Sequence, residues 1–170
     1  MKTAKALKLK NRLAGEVSRL KQIVQTYNSR EETREEVYNV KTIVEKTLPQ
    51  RVKELVLVKT SIACANAGEA FDLPGMYEKT AYWRIFMMAE LKGLIETYRA
   101  METKCGSFFE RYAALQGNAE PKPTVYVAAF HQTDIDALVG KAEHDIDNLQ
   151  DELDAHNATV NIPLLDVIKL

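Results

Sequence analysis

The chain has 170 residues and a mass of 19.2 kDa, enough for one ordinary domain and short for two. Hydrophobic residues make up 46% and charged residues 28%, which excludes a disordered chain, while 7 glycines and 5 prolines are few for a sandwich or barrel of tight turns. Lys+Arg 23 against Asp+Glu 24 leaves a net charge of −1, so no global basic field favours nucleic acid, and two cysteines cannot build a disulfide framework.

From Met1 to Lys10 a lysine falls at every second or third position, and no apolar core of a signal peptide follows. No apolar run approaches the roughly 20 residues a spanning helix needs, so a cytoplasmic protein is expected. A first helix is predicted over residues 2–27, because Leu13, Val17, Leu20, Val24 and Tyr27 alternate in the heptad spacing of a coiled-coil seam. Asn28-Ser29 breaks it, and Ser29 with Glu32, or Thr33 with Glu36, reads as a capping box opening a second helix over 34–48. Pro49 makes the next segment, 50–66, a restart or an angled continuation. Its run Leu55-Val56-Leu57-Val58 is strand-like alone but lies among helix formers, and Asn66-Ala67-Gly68 should end it.

A long helix is predicted over 76–104, with a seam through Met87, Leu91, Leu94, Tyr98, Met101 and Cys105. Its first half, including Tyr77, Tyr82, Trp83, Phe86 and Met87, is apolar around most of the circumference, as in a helix buried on several sides or against a second subunit. Residues 105–131 contain two aromatic or β-branched stretches, Phe108 to Ala114 with Phe109, and Val125 to Phe130. They read either as a short β-hairpin or as an irregular arm on the bundle. A last helix over 133–157 carries the seam Ile135, Val139, Ala142, Ile146, Leu149, Leu153 and His156.

The terminal helices differ in charge. Residues 1–28 hold seven basic side chains against Glu16, a net of +6, and residues 133–157 hold eight acidic ones against Lys141, a net of −7. Beside heptad seams, such flanks predict that the first helix pairs with the last, the alternative being two solvated faces that never meet.

Catalytic chemistry has little to stand on. There is no phosphate-cradling glycine loop and no Cys-x-x-Cys pair, and Cys64 and Cys105 read as core residues. His144 with Asp147 and Asp151 shares a helix face, but the Glu-x-x-His pairs of a di-iron bundle are missing, so it reads as a surface histidine. His156 suits a helix end, and His131 has no nucleophile beside it. No catalytic, metal or cofactor residues are assigned.

Ala4-Lys5-Ala6-Leu7 leading into Leu13 and Leu20, then Ile62 to Asn66, then Leu149-Gln150-Asp151-Glu152-Leu153-Asp154 before His156-Asn157-Ala158-Thr159, resemble the septicolysin-like family of small bacterial helical proteins. The resemblance implies an elongated helical bundle without established catalytic residues, and no residue here supports pore formation.

The expectation is therefore a single-domain, all-α, elongated antiparallel bundle with coiled-coil character, with or without a short β-hairpin arm. It is expected to be a non-catalytic scaffold or assembly protein that self-associates and meets a protein partner, nucleic acid not being favoured. Tyr77, Tyr82, Trp83, Phe86, Met87, Phe108 and Phe109 are the interface candidates. The alternative is a membrane-surface or membrane-active, cytolysin-like protein using the basic first helix and the aromatic arm at 105–130.

Overall fold

The computed structural model describes residues 3–69, 71–108 and 123–159, and 72% of the described residues are helical. The helices run α1 (Thr3–Tyr27), α2 (Val40–Thr42), α3 (Leu48–Asn66), α4 (Pro74–Tyr77), α5 (Ala81–Arg99) and α6 (Gln132–Thr159). Three short strands, β1 (Ser29–Glu31), β2 (Gly106–Phe108) and β3 (Thr124–Ala128), form an antiparallel sheet in the order β1-β3-β2. The fold is a helical bundle with a small sheet at one end.

The seams of the outer helices do what their spacing requires. Leu13, Val17, Leu20 and Val24 of α1, and Ile135, Val139 and Ala142 of α6, enter one core with Val52, Leu55 and Val56 of α3 and with Trp83, Leu94, Ile95 and Tyr98 of α5. Leu55 to Val58 is helical, as its flanks predict. Gly68, at φ +80, turns the chain out of α3, with Glu69 N–H donating to the Cys64 carbonyl at 2.8 Å.

Between α1 and α3 the structure departs from the capping-box reading. Ser29 enters β1, pairing with Ala128, and the helix begins only at Val40, where the Asn39 side chain accepts the Thr42 N–H at 2.8 Å. From Val40 the chain is helical through Asn66, so the two predicted helices are one run. Pro49 is accommodated by a π-helical turn, Ile43–Thr47, in which Leu48 N–H reaches the Ile43 carbonyl. The wider turn just ahead of Pro49 gives room to a ring that would clash inside a regular helix and absorbs a position with no N–H to donate.

The helix predicted over 76–104 is also divided. α4 is one turn, and Thr80 caps α5 by accepting the Trp83 N–H on its hydroxyl at 3.2 Å. α5 stops at Arg99, and Gly106, at φ +97, opens β2. Cys105 therefore lies beyond the seam and is exposed, whereas Cys64 is in the core. In the region left between hairpin and arm, β2 and β3 pair, Gly106 opposite Tyr126, and β1 adds a third strand. Phe109 lies outside the described residues.

The pairing of basic α1 with acidic α6 is not formed. α1 packs on α3 and α5, and α6 packs on α5. Arg84 and Arg99 tie α5 to Glu152 and Glu143 of α6 at 2.9 and 2.7 Å, and Glu90 ties it to Lys21 of α1 at 3.7 Å. At 100° per residue those flanks lie on two sides of α5, which separates the terminal helices.

Candidate functional site

Among the described residues no group of three His, Cys, Asp or Glu side chains converges in a metal-holding arrangement. His144 is exposed and hydrogen-bonds Asn148 at 3.2 Å, and Asp134 accepts the His131 backbone N–H at 2.9 Å. His156 is exposed, off the seam, on the rim of an open cleft of about 630 Å³ shared with Phe71, Met76, Lys79 and Tyr82. That cleft sets one imidazole beside aromatic and thioether surface, with no bonded nucleophile–base pair.

The displaced ionisations follow from packing. Burial raises the Cys64 thiol and the Tyr98 phenol. The Gln50 amide and then the Arg51 guanidinium, bonded to the Glu54 carboxylate at 2.9 and 2.7 Å, hold Glu54 below the usual carboxylate range. Each has a packing or ion-pair cause.

Two polar devices organise the bundle. Asn28 is 1% exposed, and its amide donates to the Glu102 and Phe130 carbonyls at 2.8 and 2.9 Å while its oxygen accepts the Phe130 N–H at 2.9 Å. One side chain thus fastens the end of α1, the chain after α5 and the entry to α6. The sequence reading treated it only as a helix breaker. Near mid-bundle, Glu90 of α5 lies between Lys59 of α3 at 2.7 Å and Lys21 of α1 at 3.7 Å. Gly93 makes this possible, because a Cβ there would stand 2.9 Å from the Lys21 ammonium.

The surface features that remain are apolar. On α5, Tyr82 and Ile85 are 37% and 46% exposed, with exposed Ala89 one turn on, and they occupy the arc between the α6 and α1 flanks. Met76 of α4 is exposed beside them in sequence and on the same cleft as Tyr82. The other interface candidates sit differently. Trp83 is buried in the core, Phe86 and Met87 are half-buried against it, and the Tyr77 hydroxyl donates to the Phe71 carbonyl at 2.9 Å. Phe108 is exposed on the sheet, edge-on to Tyr126, with Lys104 Nζ 3.5 Å from the Tyr126 ring centroid. The structure therefore places Tyr82 with Ile85 on the α5 face and Phe108 on the sheet at some remove. Ile85, which is not among the interface candidates, is the more exposed of the α5 pair. Its i, i+3 spacing from Tyr82 was the available signal.

No described helix is long and apolar enough to cross a membrane. No protein-family model, curated protein or solved structure matches this chain.

Proposed function

We propose that this chain is a non-catalytic interaction protein, a scaffold or assembly component, that self-associates through the open face of α5. The observation that carries the reading is the adjacent exposure of Tyr82 and Ile85 on a rigid helix whose opposite side is core. Aromatic and branched aliphatic side chains held in fixed rotamers by a helix lose little entropy on docking, which is what association surfaces exploit. The septicolysin-like resemblance belongs to the same proposal, as an elongated bundle that works through its faces.

A membrane-surface role would draw on basic α1 and on Phe108. Against it, the apolar seam of α1 is occupied in the core, and an interfacial helix must present that seam to lipid. Sedimentation equilibrium tests the proposal. The wild-type chain is expected to be a dimer or larger, and Ile85→Glu is expected to shift it to monomer with an unchanged helical spectrum and a melting temperature equal to that of dilute, dissociated wild type. Trp83→Glu is the wrong probe, since that ring is core and its loss unfolds the chain. A monodisperse wild-type monomer at high micromolar concentration refutes the reading.

A further inference from the structure

The charge asymmetry of α1 and α6 is not used up inside the chain. Lys5, Lys8, Arg12 and Arg19 fall within one narrow arc of α1 and are exposed, and among the described residues only Arg12 has an ion-pair partner, Glu16 at 3.7 Å. On α6, Asp136, Asp147, Asp151 and Asp154 likewise share one exposed arc, and among the described residues none is in an ion pair. The two arcs span about 21 and about 27 Å at 1.5 Å per residue. α5 lies between these helices, so among the described residues neither arc meets the other within one chain.

We infer that the partner of the α1 basic arc is the α6 acidic arc of a second copy of this chain. The inference rests on the self-association proposed above and adds its orientation. The arcs select which surfaces face each other. The basic arc lies on the side of α1 turned away from Lys21, the residue that meets α5, so the contact it makes is beside the apolar α5 face and not through it. Exposed ion pairs contribute little energy each, but a row of like charges set against like charge excludes the wrong docking and speeds the right one. A second copy carries the required acidic stripe at the required length, and the near-zero net charge of the whole chain lets copies approach without general repulsion.

The experiment uses two full-length variants, Lys5→Glu/Lys8→Glu/Arg19→Glu and Asp147→Lys/Asp151→Lys/Asp154→Lys, each checked by circular dichroism for an unchanged helical spectrum and a cooperative melt. Each alone should self-associate at least roughly tenfold more weakly than wild type, because like arcs then face each other. Mixed in equal amounts they should associate again, since every α1 arc in the mixture meets an α6 arc of opposite sign. Association of wild type should weaken between about 0.05 and about 0.5 M NaCl. If the mixture stays as weak as its components, the inference is overturned. If wild type and both variants associate equally and independently of salt while Ile85→Glu still dissociates them, α5 is the interface and the arcs are solvated faces. A monomeric wild type overturns both readings. Wild type sedimenting with phosphatidylserine vesicles but not with itself, the α1 variant losing that binding, assigns the basic arc to lipid and overturns the inference.

Discussion

Replacing Asn28 by alanine should remove about a third of the stability of this domain. The side chain is 1% exposed and makes three hydrogen bonds, two of them to the backbone of Phe130, which is itself 7% exposed. Each bond contributes about 1 kcal/mol net, but a buried donor or acceptor left unpaired costs about 1–3 kcal/mol. The Phe130 N–H and carbonyl are the groups stranded, whereas Glu102 is at the surface and its carbonyl can take water. The two stranded groups together cost about 2–6 kcal/mol, against a typical total of about 5–15 kcal/mol. Urea unfolding followed by far-ultraviolet circular dichroism measures it, with an unchanged m-value showing that the same surface is exposed on unfolding. Asn28→Asp separates the donors from the acceptor. The aspartate still accepts the Phe130 N–H but sets its second oxygen against two carbonyls, so its folded pKa must rise above the unfolded value of about 3.9. Its cost is then small in acid, grows as pH rises through that value, and is complete above the folded pKa. An alanine variant within about 1 kcal/mol of wild type, or an aspartate variant whose deficit does not shrink in acid, refutes the reasoning.

Thr60 is 0% exposed and among the described residues its hydroxyl has no hydrogen-bond partner, so the isosteric Thr60→Val should raise stability by about 1 kcal/mol, measured by the same urea titration. Gly93→Ala exchanges the loose 3.7 Å arm of the Glu90 ion pair for about 0.5–1 kcal/mol of helix propensity and keeps the 2.7 Å arm from Lys59. A higher melting temperature is expected, and a lower one means that Lys21 cannot move aside. Native protein should react with a disulfide reagent quickly at Cys105, which is exposed, and only on unfolding at Cys64, which is buried with its thiol pKa raised. The carboxyl of Glu54 is held below the usual range, so its small contribution is present at neutral pH and lost as pH falls through that lowered value. The stability gap between wild type and Glu54→Gln should therefore close in acid, and a gap independent of pH refutes the assignment.

The long helices were legible because their signal is local. Seam positions of α1 and α6 recur every three or four residues, and most of them are buried. The stretch from Asn28 to Asn39 was not legible, for a physical reason. Ser29 followed by Glu32 caps a helix only where no better partner is offered to those backbone groups. Here β3, about a hundred residues on, offers a strand, and the Ser29 hydroxyl donates to the Lys104 carbonyl instead. No window of neighbouring residues contains that competition. The Pro49 site fails similarly. The sequence announces a defect in the helix, but whether the chain breaks or widens into a π-turn depends on keeping Val44, Leu48 and Val52 in one core. Thr80 was a missed local signal, since a threonine ahead of Ala81-Tyr82-Trp83 is an ordinary N-cap.

The misplaced α1–α6 pairing shows which quantity decides helix neighbours. Exposed charge pairs contribute about 0.2–1 kcal/mol each, whereas burying a side chain such as Trp83, Leu94, Ile95 or Tyr98 contributes about 1.5–3 kcal/mol. The helix with the widest apolar circumference must therefore sit where the most neighbours can cover it, and that helix is α5. Helices with a single narrow seam need fewer neighbours: α6 lies along α5, and α1 lies on α3 and on the other flank of α5. Both facts were present in the sequence, in the width of the apolar arcs rather than in the sign of the charges. Charge then reports what faces outward. Because the first turns of α5 are still apolar on the arc its neighbours leave open, before Lys92 and Glu96 make that arc charged, the same inequality that placed the helix centrally also makes Tyr82 and Ile85 the surface a second molecule should cover.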